Sequence, residues 1–365
     1  MDGNQNERNF RKPGVAQVCI IFSITIILFV FIGCRVQNRE IYSGLLITEF
    51  GLIMLPALIF LLVFRFNLKN VLKLNDTKPL NFLLTFAIML FTIPMAGVFN
   101  LLNLLLVNSI FGKVIVQQPP IAQNGKELLI GILVIAGSAG ICEEFLFRGV
   151  MQRGFERFGA VKAILLSALL FSLTHLDFQK IFGTFLLGAL IGFIVYRTNS
   201  LYCGVFAHFI NNALAVLISY AAAKLMSVFG SSGISVPQET DLNGIFSSFR
   251  SLSSQQLILV FFIYGFMFLC IAVIFVLLLY ALIKLNPVRP KIQANAYGNP
   301  EAPDMANGAS SDTIAAIPAS SKRRVTGLLW LLPGILLIAG IYFIEVHNFT
   351  GVQNDFVDFA RRLLL

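Results

Sequence analysis

Two adjacent acids, Glu143 and Glu144, and a base four positions on, Arg148, interrupt an apolar run at Ile141-Cys-Glu-Glu-Phe-Leu-Phe-Arg-Gly149. A charge at the centre of a membrane helix costs roughly 2.5–3.5 kcal/mol on insertion scales, so each of these three needs compensation. On a helix Glu144 and Arg148 stand at i and i+4 with the acid on the N-terminal side, the favourable order for an ion pair. Glu143, turned about 100° from its neighbour, aligns instead with Ala139, Gly140 and Phe147. It is an acid without a partner beside two small residues, and an unpaired intramembrane acid points to function.

Three histidines occur, and two of them, His175 and His208, fall in apolar segments. Phe171 and His175 share a helix face at i,i+4, as do His208 and Asn212. A hydrophobic helix needs none of these polar groups for stability. Together they allow water activation: a carboxylate and an imidazole take a proton from water and return it to a leaving amine, both being tunable toward neutrality by burial. A second imidazole and an amide can donate to the oxyanion of a tetrahedral intermediate. The roles expected are Glu143 as general base, His175 as its partner, and His208 with Asn212 as oxyanion donors. Asn211 is the alternative amide, and two histidines with a glutamate are equally able to hold zinc. Cys142 has no histidine on its own helix and is set aside as a nucleophile. Glu49, in an earlier apolar run, has no evident partner and reads as structural or interfacial.

These residues must be positioned by membrane helices. The chain of 365 residues is 57% hydrophobic and only 12% charged, against the roughly one-quarter charged residues of soluble domains. At about 20 residues per crossing, spans are expected near 14–34, 43–65, 81–107, 127–150, 162–176, 181–197, 201–223, 256–284 and 325–345. The fold class is thus an all-α polytopic transmembrane helix bundle of about nine spans, the first retained as a span. The fifth and sixth are short, with Thr174-His-Leu-Asp177 between them, so a tilted or partly re-entrant path is possible where protein covers the backbone. The net charge of +9 comes from basic residues in short loops, which points to topology rather than nucleic acid. Clusters at Arg8–Lys12, Lys69–Lys78, Arg153–Lys162 and Lys322–Arg324 fall on one side, giving a cytoplasmic N-terminus and an external C-terminus. Residues 286–324 read as a disordered cytoplasmic loop, 224–255 as a polar external loop, and 325–365 as an additional span with a short external tail. Five scattered cysteines without CxxC pairing support neither a disulfide framework nor a zinc knuckle.

Depth allows the polar residues to meet. Counting at 1.5 Å per residue from the cytosolic ends of their helices, Glu143 lies about 15 Å deep, His175 about 20 Å and His208 about 12 Å. Three helices carry their exceptional residues to a similar level.

Glu143-Glu144-x-x-x-Arg148, Phe171-x-x-x-His175 and His208-x-x-x-Asn212 resemble, in order and on successive helices, the three motifs of the type II CAAX prenyl endopeptidase and bacteriocin-processing (CPBP, or Abi) family of intramembrane proteases. The match covers residues 127–215 within a membrane domain of residues 1–285. It implies a helical core of about eight spans, with the last span outside it, and a glutamate-dependent endopeptidase whose cavity opens to the cytosol. It also implies roles like those above, a structural pair of Glu144 with Arg148, and no metal or other cofactor. The partners implied are a peptide or membrane-protein substrate, prenylated or bacteriocin-like, and the lipid bilayer, a bacterial plasma membrane being the expected setting. Two other functions fit the same residues: a proton-coupled transporter, since acids and imidazoles also mark proton pathways, and a non-catalytic scaffold or immunity protein.

Overall fold

The computed structural model describes residues 11–112, 114, 122–231, 251–287 and 325–350. All regular structure among them is helical. The long elements are α1 (Val15–Arg39), α2 (Ile41–Val63), α3 (Pro79–Phe111), α4 (Gly125–Phe158), α5 (Ala160–Leu173), α6 (Ile181–Thr198), α7 (Leu201–Ser231), α8 (Ser254–Leu285) and α9 (Gly327–His347). Eight of these are long and apolar enough to cross a membrane, one fewer than the nine expected. The exception is α5, whose 14 residues span about 21 Å at 1.5 Å each, less than the roughly 30 Å hydrocarbon core. The expected span at 162–176 stops early because Leu176 turns the chain with a φ of 51°. The described part of the expected external loop also differs, since α7 stays helical to Ser231. Residues 232–250 and 288–324, with most of the expected cytoplasmic loop and the Lys322–Arg324 cluster, lie outside the described residues.

The α5–α6 hairpin exposes backbone groups at its turn, and lipid cannot satisfy them. The protein does so. Asn103 of α3 donates to the carbonyls of Phe178, at 3.2 Å, and Gln179. Glu345 of α9 accepts from the Phe178 amide at 3.2 Å, and Asp177 accepts from the Gln179 amide at 2.9 Å. Ser172 closes the base of the hairpin by donating to the Ile181 carbonyl at 2.8 Å.

Two apolar cores hold the bundle. One joins α1, α2, α4, α5 and α9 through residues such as Phe22, Leu61, Phe147, Phe171 and Ile341; the other joins α3, α6, α7 and α8 through Met89, Ile191, Ala207 and Leu282. The last helix therefore packs in the first core, and Ser23 of α1 donates to its Trp330 carbonyl at 2.7 Å. By contrast, α8 faces outward, with Phe261 and Phe262 at 72% and 71% exposure, a surface suited to lipid. Wider π-type turns interrupt α1 at Phe29–Gly33, α2 at Ile47–Met54, and α4 at Ile132–Ser138 and Phe145–Met151. Such turns shift the faces of a helix and often occur at functional sites.

At one end of the bundle, Glu156 gathers charges from three segments. Lys12 lies 2.5 Å from its carboxylate and Lys73 3.3 Å, and Arg153 also pairs with it. Three of the basic clusters read from the sequence thus share one end. Burial pushes the Lys73 ammonium down to about 8, against the opposing pull of Glu156. Between about 8 and its ordinary 10.5 the unfolded chain binds more protons at this site, so stability rises with pH across that window. Lys73→Met is expected to flatten that rise by a few degrees of Tm in a thermal-unfolding series, while an unchanged slope would contradict the assignment.

Candidate active site

The site is built outward from Glu144, which is fully buried, as is Arg148 beside it. Arg148 Nη1 donates to Glu144 Oε1 at 2.5 Å, the i,i+4 pair expected from spacing. Its Nη2 donates to the Gly188 carbonyl of α6 at 2.9 Å, and its guanidinium lies 4.6 Å from the ring centre of Phe171 on α5. The same Glu144 oxygen meets His208 Nδ1 of α7 at 2.8 Å. One carboxylate therefore neutralises the arginine and orients an imidazole, so Glu144 is more than half of an ion pair.

Two glycines let α7 come this close. A Cβ at Gly204 would stand 2.5 Å from Val195 Cγ2 and 3.0 Å from Glu144 Oε2, and one at Gly140 would stand 3.2 Å from the Phe209 amide nitrogen. The room left by Gly140 is filled by the α7 backbone. His208, nearly inaccessible, then brings Nε2 to 4.0 Å from Glu143 Oε2. Because a carboxylate can only accept, Nδ1 carries the hydrogen shared with Glu144. His208 Nε2 consequently donates only when the ring holds both protons.

His175, at the end of α5, places Nδ1 3.0 Å from the Phe171 carbonyl and its ring 4.9 Å from that of Phe171, edge to face. The carbonyl again fixes the hydrogen on Nδ1, leaving Nε2 with a free lone pair in the neutral ring. Phe171 also meets His208, with ring centres 5.7 Å apart. The aromatic residue of the second motif thus separates and steadies the two imidazoles.

Glu143 and His175 line one cavity of about 190 Å³, enclosed by α1, α2, α4 and the end of α5. At about 30 Å³ per water it has room for several. His208 reaches Glu143 from α7 without lining this cavity. Asn212 places Nδ2 3.5 Å from the Ile135 carbonyl in a π-type stretch of α4, and its Oδ1 accepts from Asn211 at 3.0 Å. Each member of the expected histidine–asparagine pair thus has a partner on α4. The Cys142 thiol packs 4.0 Å from Met54 Sδ. Among the described residues no three His, Cys, Asp or Glu side chains are grouped closely enough to hold a metal ion.

The residue that sequence reasoning missed is Glu49. It is buried, lines the same cavity and meets the Glu143 carboxyl group. One signal was available: counted back from Val63, Glu49 lies about 21 Å along α2, the level of His175.

Breaking the buried pair should be costly. Arg148→Met or Glu144→Gln alone is expected to lower stability by roughly 3–5 kcal/mol, because each leaves a charge uncompensated. The double variant should recover part of that loss, since the amide oxygen introduced by Glu144→Gln can still accept from His208. Thermal unfolding of all three proteins in one detergent checks this, and additive losses would contradict it.

Comparison with the curated proteins and with the solved structures found no match. A family model, described as Type II CAAX prenyl endopeptidase Rce1-like, matches residues 125–214. That stretch runs from the start of α4 to just beyond Asn212 and contains the three motifs, within two residues of the bounds drawn from the motifs alone. Over residues 125–214 this integral membrane protein is thus similar to the Rce1-like, type II CAAX prenyl endopeptidases, a protease family.

Proposed function

We propose that the chain is an intramembrane endopeptidase in which Glu143 and His175 activate a water molecule for attack on a peptide bond. The observation that carries this reading is their position on one small cavity inside the bundle, with a second imidazole 4.0 Å behind Glu143. In the proposed reaction water adds to the substrate carbonyl carbon while its proton passes to Glu143. His175, its Nδ1 held by the Phe171 carbonyl, offers its Nε2 lone pair to orient that water. As the tetrahedral intermediate collapses, the C–N bond breaks and the proton held by Glu143 moves to the departing amine. His208, oriented by Glu144, is the donor proposed for the oxyanion through Nε2, a role that requires both ring nitrogens to carry a proton. Asn212, whose Nδ2 lies 3.5 Å from the Ile135 carbonyl, is proposed to assist it, with His208 assigned the larger share.

The substrate proposed is a peptide or membrane protein, prenylated or bacteriocin-like, entering from the bilayer. The gathering of three basic segments around Glu156 supports a cytoplasmic location for that end of the bundle. The reaction so written needs no metal. Zinc held by Glu143 and the two histidines would instead make cleavage sensitive to chelation and restorable by stoichiometric metal, with bound zinc measurable in the purified protein.

Glu143→Gln should reduce cleavage by about 10²–10⁴-fold while preserving the thermal midpoint. Mass spectrometry of membrane peptides from cells carrying the native chain or this variant would identify the bond cut. Equal peptide populations would reject the endopeptidase reading. Transport would appear instead as substrate movement driven by a pH gradient in proteoliposomes, with no peptide product.

A further inference from the structure

The cavity carries an acid that no motif includes. Glu49 sits in the π-type stretch Ile47–Met54 of α2, outside the segment that matches the family, and is only 5% exposed. Its carboxyl group meets that of Glu143 across the α2–α4 contact. Among the described residues no donor reaches Oε2 of Glu49 or Oε2 of Glu143, although both atoms are buried.

The surroundings restrict how these charges can be balanced. From α1, Gln37 contributes an amide that donates to Thr48 Oγ1 at 2.9 Å. From α4, Cys142 is directed to Met54, and Arg148 is committed to Glu144. His208, on α7, is bound to Glu144 through Nδ1, and among the described residues His175 is the only basic side chain lining the cavity. Two carboxylates in contact within an apolar pocket cannot both remain ionised, and a single proton held between them satisfies both. Exposure decides which carboxyl keeps it: the Glu143 side chain is 15% exposed, against near-complete burial of Glu49.

We propose that Glu49 is the proton-bearing partner of Glu143, donating a hydrogen bond that holds the Glu143 carboxylate in place for reaction with water. Glu49 is thus a positioning residue for the proposed base, and its catalytic consequence rests on the endopeptidase reading. The shared proton itself does not.

The test combines infrared spectroscopy and cleavage kinetics on the purified full-length chain in lipid nanodiscs at neutral pH. The native protein should show a protonated-carboxyl stretching band that shifts in deuterated water. It should disappear in Glu49→Gln and move in Glu143→Gln, where the acceptor becomes an amide. In the kinetic arm Glu49→Gln retains a donor and should keep most of kcat. Glu49→Leu should lose roughly tenfold to a hundredfold in kcat, with KM and thermal midpoint little changed. Absence of the band in the native protein, or a band unaffected by both glutamine variants, overturns the shared proton. Equal kcat for Glu49→Leu and the native chain overturns the positioning role. If no protein yields a peptide product, the endopeptidase reading fails while the infrared result still decides the pairing.

Discussion

The buried carboxylate of Glu144 is the constraint on which the remaining structure depends. A charge removed from water needs hydrogen-bonding partners with good geometry, and removing one partner costs far more than removing an exposed contact. Glu144 obtains two, from Arg148 on its own helix and His208 on α7. Arg148 in turn requires an acceptor beyond Glu144 and finds it at Gly188 on α6. Three helices are thereby fixed in azimuth as well as depth, by interactions that a purely apolar bundle would lack. The close approach is possible because Gly140 and Gly204 carry no side chain at the α4–α7 contact.

With that frame in place, the candidate catalytic groups occupy positions their own helices do not determine. His175 ends a helix too short to cross the bilayer, and the turn after it is stabilised from outside the hairpin by Asn103 and Glu345. The last helix therefore contributes to the site's support even though it lies outside the family segment. Phe171 acts similarly from within, touching both imidazoles and the guanidinium. Rigid apolar contact restricts the imidazoles, and their Nδ1 hydrogen bonds select which nitrogen is available for chemistry.

Much of this was legible in the sequence because periodicity and the rarity of charge in lipid are strong signals. The nine apolar runs correspond to the nine long helices of the described residues, and the i,i+4 order of Glu144 and Arg148 predicts their contact. Depth counted along the helices also brings Glu143, His175 and His208 to one level. Azimuth was the missing quantity. Regular α-helical geometry takes no account of π-type turns, and Glu49 and Ile135 both lie in such turns. The second acid of the cavity therefore read as an isolated residue, and the 3.5 Å approach of the Asn212 amide to the Ile135 carbonyl was not foreseen. The ninth crossing failed for a different reason: composition does not encode the turn at Leu176, which shortens α5 despite its apolar character.

The proposed chemistry places the oxygen of one water molecule in the new carboxyl terminus, with Glu143 receiving its proton. Single-turnover cleavage in heavy-oxygen-labelled water, followed by mass spectrometry of the amino-terminal product, tests this most directly. The native chain should give one labelled oxygen per product, and Glu143→Gln no product on the same timescale. Unlabelled product, or labelled product formed equally fast by the variant, would contradict it.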